Sequence, residues 1–233
     1  MKVLVTAGRT LAMIDQVRTL ENIFRGRTGT DIACTFSSLG HEVTLLTSEP
    51  GLVSLGGTRP LHCVRAFRTF DDLEAQMRLE ISEEPYDLII HSAAVSDYKF
   101  IGGLFTRDAD GSCEDEVLVT RIPTRGKIPS GCGRLLIELE PTIKLIDLIR
   151  GPLGFTGNLV KFKLQVDNAA GEPMSDDELI EIAQRSREHS DADLIVANCL
   201  AWARDRAIVL GRDGAPEHVS RRDIATAIHR RVT

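Results

Sequence analysis

The chain lacks the features that mark membrane-spanning, secreted and zinc-binding proteins. No apolar run approaches the ~18 residues of a membrane helix. The first residues enter a strand pattern directly rather than forming a signal peptide. The five cysteines are odd in number and scattered, with no Cys-x-x-Cys pair, which argues against a disulfide framework or a zinc site. We therefore expect a cytoplasmic protein with no membrane partner.

Several nucleotide-binding and catalytic motifs are also missing. There is no P-loop and no Gly-x-Ser-x-Gly nucleophile elbow, and the turn after the first strand is Thr-Ala-Gly-Arg-Thr rather than Gly-x-Gly-x-x-Gly. Neither Tyr86 nor Tyr98 has a lysine four residues later, so the short-chain reductase site is absent. Glu49 follows the second strand, where a ribose-binding acid would lie, but a single acid is weak evidence. A nicotinamide oxidoreductase is therefore the least supported alternative.

The length of 233 residues, with 42% hydrophobic and 27% charged residues, favours one ordered domain spanning residues 1–233. The net charge of −6 argues against nucleic acid as a partner. Two segments nevertheless are cationic, since residues 9–27 hold four arginines against two acids and residues 121–134 hold four basic residues and no acid. Such segments indicate either a site for a small ligand with several phosphates or solvated loops.

Hydrophobic patterns predict alternating strands and helices. The predicted strands are Lys2–Thr6, His41–Thr47, Cys63–Ala66, Tyr86–His91, Leu135–Leu139, Leu159–Leu164, Asp193–Ala197 and Arg206–Leu210. The predicted helices are about Gly29–Leu39, Asp71–Ile81, Thr142–Arg150, Ser175–His189 and one from about Ser220. Short links between continuous aliphatic strands predict an α/β fold, Rossmann-like and doubly wound, with a mostly parallel sheet and helices on both faces. The polar, glycine-rich residues 100–126 predict an excursion from this sheet, as a flap or dimer arm.

Two segments follow the predicted carboxyl ends of strands. Thr6–Thr10 leaves the first strand, and Asn22–Gly29 opens the first helix. A glycine-containing loop before a helix offers free N–H groups and a positive dipole end, which suit a phosphate. The alternative is that the glycines serve only the backbone of the turn.

Ser92–Tyr98 follows the strand that ends at His91. The small residues Ala93 and Ala94 would let a ligand approach the backbone, and Asp97 can accept hydrogen bonds from a ligand's amine or hydroxyls. The alternative is a tight turn in which Asp97 caps a helix.

Five segments, in order, resemble the phosphopantothenate–cysteine ligase family. They are Val-Thr-Ala-Gly-x-Thr with Ile-Asp-x-Val-Arg and Asn-x-x-x-Gly-x-x-Gly, Ala-Ala-Val-Ser-Asp-Tyr at 93–98, Lys127-Ile128, Val160–Leu164 and Ala192–Asn198. The resemblance covers about Lys2 to Leu200 and is to the stand-alone ligase, without a decarboxylase domain.

The resemblance implies a reaction that joins 4′-phosphopantothenate to cysteine in coenzyme A synthesis. A nucleoside triphosphate, CTP in preference to ATP, would activate the carboxylate as an acyl nucleotide with Mg²⁺ assisting, and cysteine would then displace the nucleotide. The family is dimeric, which implies a homodimer.

The resemblance also implies roles for individual residues. Asn22 would handle the acyl intermediate, and Lys127 would stabilise the triphosphate from a mobile flap. The phosphate region would include Gly8, Thr10, Arg25 and Gly26. The base and ribose would be surrounded by Ala93, Ala94, Asp97 and Phe162. Asn198 would be structural, and no metal ligand is assigned.

Two departures from the family pattern fall in this site. Arg9 replaces a glycine, which would either clash with the turn or add a phosphate contact. Ile23-Phe24-Arg25 replaces a typical His-Ser-Ser/Thr, so hydroxyls are lost that Arg25 could offset only by charge. These changes leave open a paralogue with another acyl acceptor, or an inactive one that only binds nucleotide in a regulatory role.

Overall fold

The computed structural model describes residues 1–55, 59–105, 120–121, 127, 135–166, 171–172 and 174–233. The strands are β1 (Lys2–Ala7), β2 (Leu11–Met13), β3 (Thr19–Glu21), β4 (Glu42–Thr47), β5 (Cys63–Ala66), β6 (Leu88–His91), β7 (Tyr98–Phe105), β8 (Thr120–Arg121), β9 (Leu135–Pro141), β10 (Asn158–Gln165), β11 (Leu194–Cys199), β12 (Arg206–Leu210) and β13 (Pro216–Ser220). The helices are α1 (Arg27–Ser38), α2 (Phe70–Glu83), α3 (Leu145–Arg150), α4 (Asp176–His189) and α5 (Ile224–Val232). Among these described residues no helix has the length and apolar character needed to span a membrane.

The central sheet has the strand order β13-β12-β11-β10-β6-β1-β4-β5. The six strands from β11 to β5 are parallel, and β12 and β13 add an antiparallel edge. In chain order the parallel strands run 3-2-1-4-5-6, so the winding direction changes between β1 and β6. The predicted Rossmann-like, mostly parallel sheet is confirmed.

Helices cover both faces of this sheet because alternate strand residues point to opposite sides. On one face α1 and α5 pack against a cluster that includes Val3, Val5 and Val196. On the other face α2 and α3 pack against Leu4 and Ile89, and α4 covers the neighbouring strands β11 and β12. Burial on both faces explains why the parallel strands are continuously aliphatic.

The starts of two helices follow directly from their sequences. The hydroxyl of Ser175 accepts from the backbone N–H of Glu178, whose carboxylate accepts from the Ser175 N–H, so the two residues form a capping box at the start of α4. Thr69 and Asp72 form the same reciprocal pair at α2. By contrast, the helix predicted from Thr142 begins at Leu145, with Lys144 at its N-cap.

The excursion contributes to a separate three-stranded antiparallel sheet, with the order β8-β7-β9. The predicted strand from Leu135 therefore exists, but it pairs with β7 instead of joining the central sheet. The prediction of a flap or dimer arm at residues 100–126 falls mainly on residues 106–119 and 122–126, which lie outside the described residues. A second small sheet, the hairpin β2–β3, occupies the segment between β1 and α1 that the sequence suggested to be a loop.

Candidate functional site

Three glycines bring the first turn of α1 against the carboxyl end of β1. Gly8 and Gly26 have φ of +94° and +82°, a region that favours glycine. A Cβ on Gly26 would lie 2.1 Å from the Gly8 nitrogen, and a Cβ on Gly29 would lie 2.7 Å from the Ala7 Cβ. The tight turn and close helix–strand packing of a Gly-x-Gly-x-x-Gly loop are thus present, with residues 9–25 inserted between the glycines.

The two strand-end motifs meet at Ala94, beside the point where the winding direction changes. The N–H of Ala94 donates to the Gly8 carbonyl at 2.7 Å, and the Ala94 carbonyl accepts from the Thr10 N–H at 3.4 Å. The Asn22 side-chain amide also donates to the Ala94 carbonyl, at 3.2 Å. Gly8, Thr10, Asn22, Gly26 and Ala94 therefore share the crevice where open α/β sheets bind ligands.

Arg9 is neutralised by carboxylates. Its guanidinium lies 3.0 Å from a Glu21 carboxylate oxygen and 3.7 Å from one of Glu49, and it donates to the Phe24 carbonyl at 3.4 Å. The predicted clash with the turn is absent because the left-handed conformation belongs to Gly8. Glu49, the weak candidate for a ribose contact, is occupied by this pairing.

Two of the four arginines in the first cationic segment, Arg9 and Arg18, already pair with carboxylates. Arg18 pairs with the buried Asp15 at 2.7 Å. Arg25 and Arg27 are exposed, and neither lies within ion-pair distance of a carboxylate among the described residues. The charge free to attract a phosphate therefore comes from the two arginines that flank Gly26.

Thr10 and Thr6 orient the second motif by hydrogen bonds. The buried Thr10 hydroxyl accepts from the Ser96 N–H at 2.8 Å. The Thr6 hydroxyl accepts from the Ala93 N–H at 3.3 Å and lies 2.9 Å from His91 Nδ1. The Thr6 hydroxyl therefore joins the Ala93 backbone to the His91 ring.

His91 is held neutral in this arrangement. Burial, together with the nearby positive charge of Lys161, lowers the pKa of His91 to about 4. Lys161 lies opposite His91 in the β6–β10 register. Its ammonium donates to the Ser186 carbonyl and the Ser190 hydroxyl, both at 2.9 Å, and so closes the end of α4. Burial lowers the pKa of Lys161 as well.

Asp97 and Phe162 border the crevice from two further elements. Asp97 immediately precedes β7, and its carboxylate is paired with the Lys144 ammonium; both side chains are more than half exposed. Phe162 lies on β10 and packs partly buried against the core on the α1 and α5 face. Asn198 lies one residue from the end of β11, at the carboxyl edge of the sheet.

Lys127 and the metal are the remaining elements of the predicted site. Lys127 is exposed and lies outside the helices and strands, and the residues on either side of it are outside the described part of the chain. In the described ranges no group of three or more His, Cys, Asp or Glu side chains is placed to hold a metal ion.

Sequence reasoning missed three participants. Ser48, Lys144 and Lys161 contact the candidate site or its supports through side chains that are distant in sequence. The oxygen of Ser48 accepts from the Arg9 N–H at 3.0 Å and lies where a Cβ on Gly8 would fall. Of these three, only Lys161 had a visible signal in the sequence, as a lysine that follows the aliphatic pair Leu159-Val160 in a predicted strand.

Comparisons with known proteins identify a family for this chain. Residues 1–102 match the family of the DNA/pantothenate metabolism flavoprotein C-terminal domain. The crystal structure of the DNA/pantothenate metabolism flavoprotein from Streptococcus pneumoniae is 31% identical, with a TM-score of 0.79; the match covers 100% of this chain and 98% of that one.

Two further proteins are similar at lower identity. The coenzyme A biosynthesis bifunctional protein CoaBC from Thermococcus kodakarensis is 28% identical over 96% of this chain and 49% of its own. The chain thus spans about half the length of the curated relatives it matches. A Cab2 mutant in complex with phosphopantothenate-cysteine shares the fold, with a TM-score of 0.71 at 17% identity over 99% of this chain and 86% of that one.

Proposed function

Because the chain belongs to the DNA/pantothenate metabolism flavoprotein family, we propose that it joins 4′-phosphopantothenate to cysteine in coenzyme A synthesis. A nucleoside triphosphate, CTP in preference to ATP, supplies the energy through an acyl-nucleotide intermediate. The names of the similar proteins, which include coenzyme A biosynthesis and a complex with phosphopantothenate-cysteine, support this substrate class.

The observation that carries the proposal is the meeting of two distant motifs at Ala94. The α1 amino terminus, the Asn22 amide and the Ala93–Asp97 segment border one crevice at the carboxyl edge of the sheet. An anion-binding helix end beside a neutral amide donor suits attack of a carboxylate on a phosphate followed by attack of an amine on an acyl group.

In this proposal each residue has a limited task. The free N–H groups at the start of α1, with Arg25, offset the charge of the phosphates. Asn22 donates to the acyl oxygen without competing as a nucleophile. Lys127 neutralises charge that develops on the triphosphate, and Asp97 and Phe162 hold the ribose and base.

Mg²⁺ would reduce the repulsion between the carboxylate and the triphosphate. Because the described residues form no cluster of donor side chains, we assign it no protein ligands; phosphate oxygens and water would provide most of its coordination.

A homodimer is also part of the proposal. Apolar side chains are exposed on the β2–β3 hairpin, on the residues just after it and on β7. They include Val17, Leu20, Ile23, Tyr98 and Ile101. A second copy would cover this surface. Light scattering after size-exclusion chromatography tests the proposal, and a monomer at micromolar concentration would contradict it.

We also propose that the protein works in the cytoplasm.

The decisive experiment combines purified protein, Mg²⁺, 4′-phosphopantothenate and cysteine with either CTP or ATP. We expect pyrophosphate release that requires the acid, and amide formation that requires cysteine. Nucleotide binding without pyrophosphate release would instead support the alternative of an inactive, nucleotide-binding paralogue. The replacement of the usual hydroxyl residues by Ile23-Phe24-Arg25 is the observation that favours this alternative.

A further inference from the structure

Four arginines line a single cavity of about 710 Å³ beside the first turn of α1. They are Arg27, Arg204, Arg221 and Arg222, and we call this cavity the arginine groove. Arg27 is the first residue of α1, and the other three come from the β11–β12 connection and the end of β13. Because β12 runs antiparallel to β11 and β13 antiparallel to β12, both of these segments lie at the carboxyl edge of the parallel strands. The groove therefore opens at the same edge as the candidate site.

Arg221 joins three elements of the groove by hydrogen bonds. The Arg221 guanidinium donates to the Thr28 hydroxyl at 3.1 Å, which joins the end of β13 to α1. The Arg221 N–H donates to the Asp205 carbonyl at 2.9 Å, which joins it to the β11–β12 connection. Arg221 is half-buried, whereas the other three arginines are exposed.

The charge of the groove is not neutralised by ion pairs. Elsewhere on the protein, arginines such as Arg150 and Arg206 lie 2.6 Å from a carboxylate oxygen. In the described part of the chain none of the four groove arginines lies within ion-pair distance of a carboxylate. Two acids, Asp31 and Asp205, do line the cavity, so four positive charges face two negative ones. Burial raises the pKa of Asp31 in spite of the attraction of Arg221 and Arg27.

We propose that the arginine groove binds the diphosphate part of the nucleotide, the group that leaves as pyrophosphate. Guanidinium groups bind phosphate oxygens in pairs of parallel hydrogen bonds, and several of them are needed for a group with multiple charges. Arg27, which lines the groove, is the first residue of α1 and directly follows Gly26. The outer phosphates of a triphosphate bound to the first N–H groups of α1 would therefore extend into the groove. The inference rests on the proposed function for the position of the nucleotide.

Titration calorimetry without metal tests the proposal with pyrophosphate, CTP and CMP as probes. In the double variant Arg204→Gln/Arg222→Gln we expect affinity for pyrophosphate and CTP to fall roughly tenfold or more, with CMP unchanged. Asp31→Asn should have the opposite effect and tighten pyrophosphate binding several-fold, because a repelling carboxylate is removed. Arg59→Gln is the matched control: Arg59 is exposed and lies beside Gly40, after the carboxyl end of α1.

Three outcomes would contradict the proposal that the groove binds the diphosphate. They are no pyrophosphate binding by the wild type, a pyrophosphate affinity of the double variant equal to that of Arg59→Gln, or a loss of CMP affinity as large as that of CTP. Free pyrophosphate and nucleotide-bound diphosphate are distinguished by comparing the pyrophosphate and CTP arms. A separate product assay tests the ligase reaction. Normal amide formation with unchanged affinities in the double variant would contradict only the proposal that the groove binds the diphosphate. Pyrophosphate binding that depends on the groove, without amide product, would contradict only the proposed ligase reaction.

Discussion

The side-chain amide of Asn22 donates a hydrogen bond to the backbone carbonyl of Ala94, across the crevice between β1 and β6. This contact fixes the Asn22 amide on a rigid backbone even though the side chain belongs to a loop. It also links the two sequence motifs on which the proposed function depends. An amide positioned in this way has one N–H occupied and a second available for a ligand.

Asn22→Asp should impair amide formation more than pyrophosphate release. The carboxylate cannot donate to the acyl oxygen and would repel the Ala94 carbonyl, so we expect the second step to slow roughly 100-fold. Single-turnover measurements of pyrophosphate and amide separate the two steps. Gln16→Glu is the control, because Gln16 is an exposed amide on the neighbouring hairpin. An equal loss in both steps, or none, would remove Asn22 from its proposed role.

Asp97→Asn should weaken nucleotide binding roughly tenfold without loss of stability. Its ion pair with Lys144 is exposed and so contributes little to folding. If Asp97 binds the ribose, Lys144→Gln should bind CTP at least as well as the wild type, since it frees the carboxylate. Equal weakening by both substitutions in a fluorescence titration would show that only the ion pair matters.

Arg9→Gly introduces the glycine that the family resemblance leads us to expect here, yet it should weaken triphosphate binding. Removing the guanidinium leaves the carboxylates of Glu21 and Glu49 unpaired near the start of α1. We expect a loss of roughly tenfold at low salt, which shrinks as salt screens the repulsion. The double variant Arg9→Gly/Glu21→Gln should recover part of the affinity; no recovery would contradict this electrostatic explanation.

Gly29→Ala should destabilise the protein, although alanine normally stabilises a helix. Its Cβ would lie 2.2 Å from the Ser92 hydroxyl oxygen and 2.7 Å from the Ala7 Cβ. The serine can rotate, but the alanine on β1 cannot, so α1 must move away at a cost of about 1–3 kcal/mol. Urea unfolding measures the loss. Adding Ala7→Gly should restore part of it, and strictly additive effects of the two substitutions would exclude the contact.

The sequence predicted the sheet well because its parallel strands are buried on both faces. Val3–Val5 and Leu88–Ile90 are continuous aliphatic runs whose pattern needs no tertiary information. It could not predict β13, whose Pro-Glu-His-Val-Ser has little strand character and is formed by pairing with β12. The three-residue strands β2 and β3 were missed for the same reason.

The candidate site was predictable only where the motifs are local. Glycines and small residues at strand ends indicate a ligand site from their own position. The partners of Arg9 and Lys161 lie far along the chain, so nothing local showed that the first would be neutralised or that the second would be buried at the end of α4. Within the cationic segment 9–27, Arg9 and Arg18 are paired with carboxylates, which the local sequence does not show.

His91 should make the protein lose stability as the pH falls from about 6.5 to about 4. Its pKa in the folded state is about 4, below the ordinary value of 6.5, so between these values the unfolded chain binds a proton that the folded chain does not. The contribution of neutral His91 to the free energy of unfolding is therefore fully present above pH 6.5. It decreases towards pH 4, by about 3 kcal/mol at most. In His91→Asn the side-chain amide can still form a hydrogen bond with the Thr6 hydroxyl, so this part of the pH dependence should disappear while stability at pH 7 changes little. His62→Asn, at an exposed histidine, is the control. Urea unfolding at several pH values gives the free energy of unfolding of each protein. If it changed with pH in the same way in the wild type and in His91→Asn, His91 would not be buried in its neutral form.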